Sequence, residues 1–379
     1  MKFSCNTASL LQSLQLVSRA ISGQQALPIL GNVLVQAEGA RCTVSATDLE
    51  ISIVTSFDAA IENEGSITVP AKAILNFAQY TTDSEVVLET VEGTQLRCMS
   101  KHSKTNLSGE LATEYPTISP VEKNVSFAVN AHDLLQSLHL VTFTCARTSL
   151  RPVLSGVFLR TDGGKMILVG TDSYRLSECV IKTGVQDNIS CIIPVKVLEE
   201  VKAAISGQKA KKPGADEKID QVPQVHVTLS QQQVELRVGA TRFLSRLIEG
   251  KFPDYKQIIP KETSVRSVLS THEFTTAVRR MHYFAKEVNN NLTFVLGGGD
   301  AQIRTPQTPL GKDEATITAE TTGGETKIAL SSSYLLDFLS HIDDANVELH
   351  VVDGMHPAVF KLPNTPGFLH LIMPLRMQD

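Results

Sequence analysis

Apolar residues recur at helical spacing in three places along this chain, and each place opens with a residue that caps helices. Asn6-Thr7-Ala8-Ser9 leads into Leu10, Leu11, Leu14 and Val17; Asn130-Ala131-His132-Asp133 leads into Leu134, Leu135, Leu138 and Val141; Ser270-Thr271-His272-Glu273 leads into Phe274, Val278 and Met281. An Asn or Ser side-chain oxygen satisfies the orphan amides of a first helical turn, and in the last two places an acid three residues on fits a capping box. Each place therefore predicts a short amphipathic helix.

A turn and a strand pair follow each helix, within 27–35, 151–159 and 291–296, where alternating and β-branched positions mark the strands. A second helix comes next, with Pro70 and Pro194 near its first position, where a missing N–H costs little, and Ser331-Ser332-Ser333 in the third copy. Its apolar stripe reads Ile74, Leu75 and Phe77, then Val197, Leu198 and Val201, then Leu335, Leu336 and Leu339. Further strands at 96–98, 234–238 and 358–362 close each stretch.

The pattern thus runs three times at a period of roughly 125 residues. Two short helices amid many strands form an α+β domain, with the helices on one face of antiparallel sheets. Polar, proline-bearing links at 119–124 and 260–264 set three domains at 1–123, 124–260 and 261–379. The middle domain holds a polar insertion near 207–221, carrying Lys209, Lys211, Lys212 and the pair Pro213-Gly214. A solvated loop and a basic contact to nucleic acid both fit it.

Charge and cysteine usage narrow the class. A net charge of -5 excludes a protein that is basic all over, while leaving room for one basic face. Cys5, Cys42, Cys98, Cys145, Cys179 and Cys191 are scattered with no C-x-x-C pair, which reads as free thiols in a reducing compartment. The N-terminus has no apolar signal region and no apolar run is long enough to span a bilayer, so the expected setting is cytoplasmic, away from membranes.

Catalytic motifs are missing. There is no P-loop, dinucleotide fingerprint, G-x-S-x-G elbow or H-E-x-x-H, and Gly297-Gly298-Gly299-Asp300 lies between strand-like segments, as a hairpin turn would. Asp172 has no second acid at a workable spacing, and His132 and His272 occupy corresponding first turns rather than a metal-ligand cluster. An enzyme on a repeated scaffold predicts a titratable cluster that is not found, and a repeat scaffold that binds only proteins predicts no basic channel. Triplication without a catalytic constellation favours an extended binding surface, with no metal and no cofactor.

Four segments carry a resemblance: Leu27-Pro28-Ile29-Leu30-Gly31-Asn32, Gly170-Thr171-Asp172-Ser173-Tyr174-Arg175-Leu176, Phe252-Pro253-Asp254-Tyr255 and Met373-Pro374-Leu375-Arg376-Met377. In their order and spacing the whole chain resembles the bacterial sliding clamps, the beta subunits of DNA polymerase III. The resemblance implies a ring-shaped homodimer of six clamp-fold domains, with helices facing a central channel and sheets outside. It also implies a non-catalytic processivity factor that encircles double-stranded DNA. Its partners would be the polymerase III alpha subunit, the clamp loader, other polymerases and repair proteins.

The same resemblance assigns residues. A peptide-binding pocket would comprise Leu154, Thr171, Tyr174, Arg175, Leu176, Pro253, Ile258, Ser331, Tyr334, Met373, Pro374, Leu375 and Arg376, with Arg175 and nearby backbone fixing polar groups of the peptide. DNA would touch Gln24, Lys72, Thr148, Pro152, Val153, Lys196, Arg279 and Arg280; Gln24 stands where the family can carry Arg, and Pro152-Val153 where it can carry aromatics. At the subunit contact Tyr283 and Phe284 would meet Leu107, and Lys101, His102 and Lys104 would face Asp313 and Glu314. Lys312 and the terminal Gln378-Asp379 depart from the family pattern.

Overall fold

The computed structural model describes the chain apart from residues 22, 24–26, 93, 149, 210–222 and 378–379. Gln24, most of the polar insertion and Gln378-Asp379 therefore lie outside the described residues.

Six α-helices occur among the described residues: α1 (Thr7–Val17), α2 (Ala71–Tyr80), α3 (Ala131–Val141), α4 (Val195–Lys209), α5 (Thr271–Ala285) and α6 (Ser332–Leu339). Their starts follow the capping chemistry. Asn6 Oδ1 accepts from the amides of Ala8 at 3.0 Å and Ser9 at 3.1 Å, and Ser270 Oγ accepts from Glu273 at 3.4 Å. Ser331 does the same for Tyr334 at 3.4 Å.

Proline stands next to the helix starts, as expected: Pro70 and Pro194 end the strands Gly65–Pro70 and Ser190–Pro194, immediately before α2 and α4. Both are edge strands, where a residue without an N–H breaks no ladder. The turns expected within 27–35 and 151–159 are the 3-10 turns Pro28–Gly31 and Pro152–Leu154, where proline fixes φ near the helical value. The strands proper are Asn32–Glu38 and Gly156–Asp162.

The described residues form two compact units. The first, 1–131 with 196–247, holds two sheets. One is five-stranded, in the order Ala60–Asn63, Lys2–Asn6, Glu85–Val91, Gln95–Met99 and Lys104–Ser108. The other is eight-stranded, in the order Val125–Asn130, Gln224–Leu229, Gln233–Val238, Thr241–Arg246, Ile51–Asp58, Arg41–Thr47, Asn32–Glu38 and Gly65–Pro70. Leu10, Leu14 and Val17 of α1 and Ile74 of α2 are fully buried.

The second unit, 132–195 with 248–379, is built on one twelve-stranded sheet. Its order is Ser190–Pro194, Gly156–Asp162, Lys165–Thr171, Arg175–Lys182, Phe368–Ile372, Ala358–Lys361, Asn346–Val351, Val265–Ser270, Glu314–Gly323, Asp300–Arg304, Asn291–Gly297 and Thr326–Ser331. Phe274, Phe294, Phe338 and Phe360 are fully buried there, with Phe274 edge-on to Phe294 at 5.9 Å. The glycine run is the expected hairpin turn: Gly297 pairs with Asp300 across Gly298 and Gly299, at φ +64° and +96°.

The middle repeat contributes strands to both units because ladders continue across the links. Thr241–Arg246 pairs antiparallel with Ile51–Asp58, and Arg175–Lys182 with Phe368–Ile372.

All six cysteines are free, and burial pushes the thiols of Cys5, Cys98 and Cys191 up to about 12, keeping them protonated and unreactive. Among the described residues no His, Cys, Asp or Glu cluster could hold a metal ion, and no helix is long and apolar enough to cross a membrane.

Candidate peptide pocket and associated surfaces

The junction between the strands Lys165–Thr171 and Arg175–Lys182 is a tight turn built by two side chains. Thr171 Oγ1 donates to the Arg175 carbonyl at 2.6 Å and accepts from the Ser173 amide at 3.1 Å. Asp172 Oδ1 accepts from the amides of Tyr174 at 2.9 Å and Arg175 at 3.0 Å. Ser173, at φ +80°, completes the reversal and leaves Tyr174 62% exposed.

Arg175 is held through all three of its guanidinium nitrogens. Its Nε donates to Asp172 at 3.1 Å, Nη1 to Asp337 at 2.5 Å and Nη2 to the Phe143 carbonyl at 3.0 Å. The guanidinium also lies over the Tyr334 ring at 4.9 Å and the Phe143 ring at 5.4 Å. Buried and held by these three bonds, the guanidinium ties the turn to Asp337 and Phe143. Tyr334 stacks on Tyr174 at 6.4 Å, and burial pushes its hydroxyl pKa up.

The chain's end is fastened alongside. Met373 donates its amide to the Tyr174 carbonyl at 2.9 Å, Leu375 donates to Ala329 at 2.8 Å, and Asn291 Nδ2 donates to the Arg376 carbonyl at 2.9 Å. Leu154 and Leu176 are buried in a cluster with Ile167, Val169, Phe252, Tyr255 and Leu371, against which Met373 packs partly buried. They form the floor. Pro253, Ile258, Tyr174 and Arg376 are exposed, Pro374, Leu375 and Tyr334 half-buried, and Ser331 acts as the α6 cap.

Sequence reasoning missed Asp337, whose partner lies 162 residues away, and Phe143, which contributes a carbonyl and a ring. Asp353 takes the amides of Met355 and His356 at 2.8 and 3.0 Å, the same aspartate-turn chemistry as Asp172.

The charged residues among the expected DNA contacts fall into two groups. Lys72 and Arg279 are exposed with no carboxylate in ion-pair range among the described residues. Lys196 is paired with Asp48 at 2.7 Å, and Arg280 binds Asp313 through two bonds of 2.7 and 3.1 Å. Thr148 and Pro152 are exposed and Val153 is half-buried. Arg147 and Arg151, both exposed, flank them.

At the expected subunit contact, Tyr283 is 63% exposed and sits edge-on to half-buried Phe284 at 5.3 Å. Leu107 is half-buried on the edge strand Lys104–Ser108, with Lys101, His102 and Lys104 exposed nearby in sequence. His102 pairs with Asp83 at 3.0 Å. Asp313 and Glu314 are neutralised within the chain, by Arg280 and by Arg304 at 2.9 Å, so they offer less free negative charge than the sequence suggested.

Comparison with known proteins adds the family. Models describing the N-terminal, central and C-terminal domains of the DNA polymerase III beta subunit match residues 1–119, 128–254 and 256–376. The chain is 27% identical over 382 residues to a beta sliding clamp of Pseudomonas aeruginosa, covering 100% of both chains. It is 28% identical to one of Staphylococcus epidermidis, covering 99% of each. Among solved structures, the Bacillus subtilis DNA polymerase sliding clamp superposes with a TM-score of 0.91 at 25% identity over 100% of both chains. The Pseudomonas aeruginosa clamp bound to griselimycin superposes at 0.89 with 26% identity, again over 100% of each.

Proposed function

The chain belongs to the DNA polymerase III beta subunit family, and from that premise we propose that two copies close into a ring around double-stranded DNA and hold partner proteins through the Tyr174–Met373 pocket. It is a sliding clamp of the replicative polymerase and a non-catalytic subunit. The three domains are 1–123, 124–260 and 261–379, their helices face the channel, and the protein works in the cytoplasm. A ring retains DNA by topology, so weak phosphate contacts from Lys72, Arg279, Arg147 and Arg151 suffice and allow movement.

One observation carries the pocket: Arg175 ties Asp172, Asp337 and Phe143 together so that Tyr174 and Tyr334 stand beside the fastened segment from Met373 to Arg376. Apolar floor, aromatic side and a methionine suit short peptides with an apolar end, from the polymerase alpha subunit, the clamp loader, other polymerases and repair proteins.

The test is titration of a labelled peptide carrying Gln and a Leu-Phe end. Deleting Met373 to Asp379 removes one wall, and losing a buried anchor worth more than ~2 kcal/mol should weaken binding at least ~30-fold. Circular dichroism checks that the truncation is folded. Equal binding by the folded truncation would remove the pocket from this site.

A further inference from the structure

We infer that the first unit carries a second peptide-docking site, related to the Tyr174–Met373 pocket by the internal repeat, which takes a short extended peptide with one aliphatic side chain next to one carboxylate. The inference rests on reading the Tyr174–Met373 site as a peptide pocket.

The turn at 47–51 repeats the turn at 171–175 bond for bond. Thr47 Oγ1 donates to the Ile51 carbonyl at 3.0 Å and accepts from the Leu49 amide at 3.0 Å. Asp48 Oδ1 accepts from the amides of Glu50 at 3.1 Å and Ile51 at 2.8 Å. Leu49 takes the place of Ser173 and shares its left-handed backbone, φ +74° against +80°.

The neighbouring strand repeats too. Ile51 pairs with Ser245 as Arg175 pairs with Ile372, and Arg246 donates its amide to the Glu50 carbonyl at 3.3 Å as Met373 does to Tyr174. Arg246 therefore occupies the Met373 position. A buried aromatic followed by proline, Tyr115-Pro116, matches Phe252-Pro253. The surrounding residues line an open pocket of about 130 Å³ that is more polar than apolar, with Thr47, Ser52 and Gln233 beside Leu49, Ile118 and Leu244, and with Glu50 and Arg246 also in its lining.

Size and charge select the occupant. A volume of ~150 Å³ is that of a cavity holding one benzene, so this pocket has room for one small side chain, with Leu49, Ile118 and Leu244 offering it an aliphatic side. Arg246 is exposed with no carboxylate in ion-pair range among the described residues, and its fork suits a carboxylate. Glu50, equally unpaired there, disfavours a second acid. Leu49 is 48% exposed although a branched residue at positive φ is strained, and strain that persists on a surface marks functional positions.

The probe is labelled acetyl-Ala-Leu-Asp-amide, titrated against the full chain, Leu49→Gly with Arg246→Glu, and the 373–379 deletion. One saturable site per chain is expected, weakened at least ~10-fold by the double substitution and unchanged by the deletion. Glycine suits φ +74°, so the variant should fold, with its thermal midpoint as the check. Absent saturation, equal binding by the double variant, or loss on deletion each overturns the second site. The Leu-Phe peptide, run on the same proteins, should respond only to the deletion. If it does not, the pocket reading fails while the Ala-Leu-Asp titration still decides the second site.

Discussion

Replacing Arg175 with alanine is expected to lower the unfolding free energy by about 3 kcal/mol and to remove peptide binding with it. The guanidinium is 7% exposed and holds two carboxylates and a backbone carbonyl. Its loss leaves Asp337 without its cation, strips Asp172 to its two amide bonds and uncovers the Phe143 and Tyr334 rings. Breaking one side of a buried network costs more than the network contributes against an apolar replacement, so Arg175→Met should be milder. Urea unfolding measures the first effect and peptide titration the second. A loss below ~0.5 kcal/mol, the range of an ordinary surface change, would mean the network does not frame the site.

Tyr283→Ala with Phe284→Ala should shift the protein from dimer towards monomer at micromolar concentration. A ring closed by two copies has two identical contacts, so each substitution acts twice. Burying an aromatic side chain contributes ~1.5–3 kcal/mol, and four rings removed per dimer should weaken association more than ~100-fold. The paired state of Asp313 and Glu314 adds a second expectation: dimerisation should depend only weakly on salt, since the rings rather than free charges carry it. Sedimentation velocity reads both, and an unchanged dimer would place the subunit contact elsewhere.

Local chemistry was the legible part of this protein. Asn6, Ser270 and Ser331 cap helices because capping is decided within three residues, and the Gly298-Gly299 turn is fixed by its own φ requirement. Proline was legible as a junction residue, starting a 3-10 turn at 28 and 152 and standing just before a helix at 70 and 194; that the last two also end edge strands is set by neighbouring strands.

Non-local pairing was the illegible part. Nothing near Arg175 announces Asp337, and nothing near Lys196 or Arg280 announces Asp48 or Asp313, so charges that looked free in the sequence are partly spent in the fold. The kinship of the turns at 47–51 and 171–175 was half visible as two Thr-Asp pairs in a repeated chain. Only the shared hydrogen bonds and sheet register make them equivalent.

The central claim is topological, and it is tested by loading the protein with its loader onto nicked circular DNA and measuring retention by gel filtration before and after linearisation. The account predicts retention on the circle that survives raised salt, rapid loss from linear ends, and weak, salt-sensitive binding to short open duplexes. Equal retention on circular and linear DNA, or nanomolar sequence-specific binding to a short duplex, would contradict it.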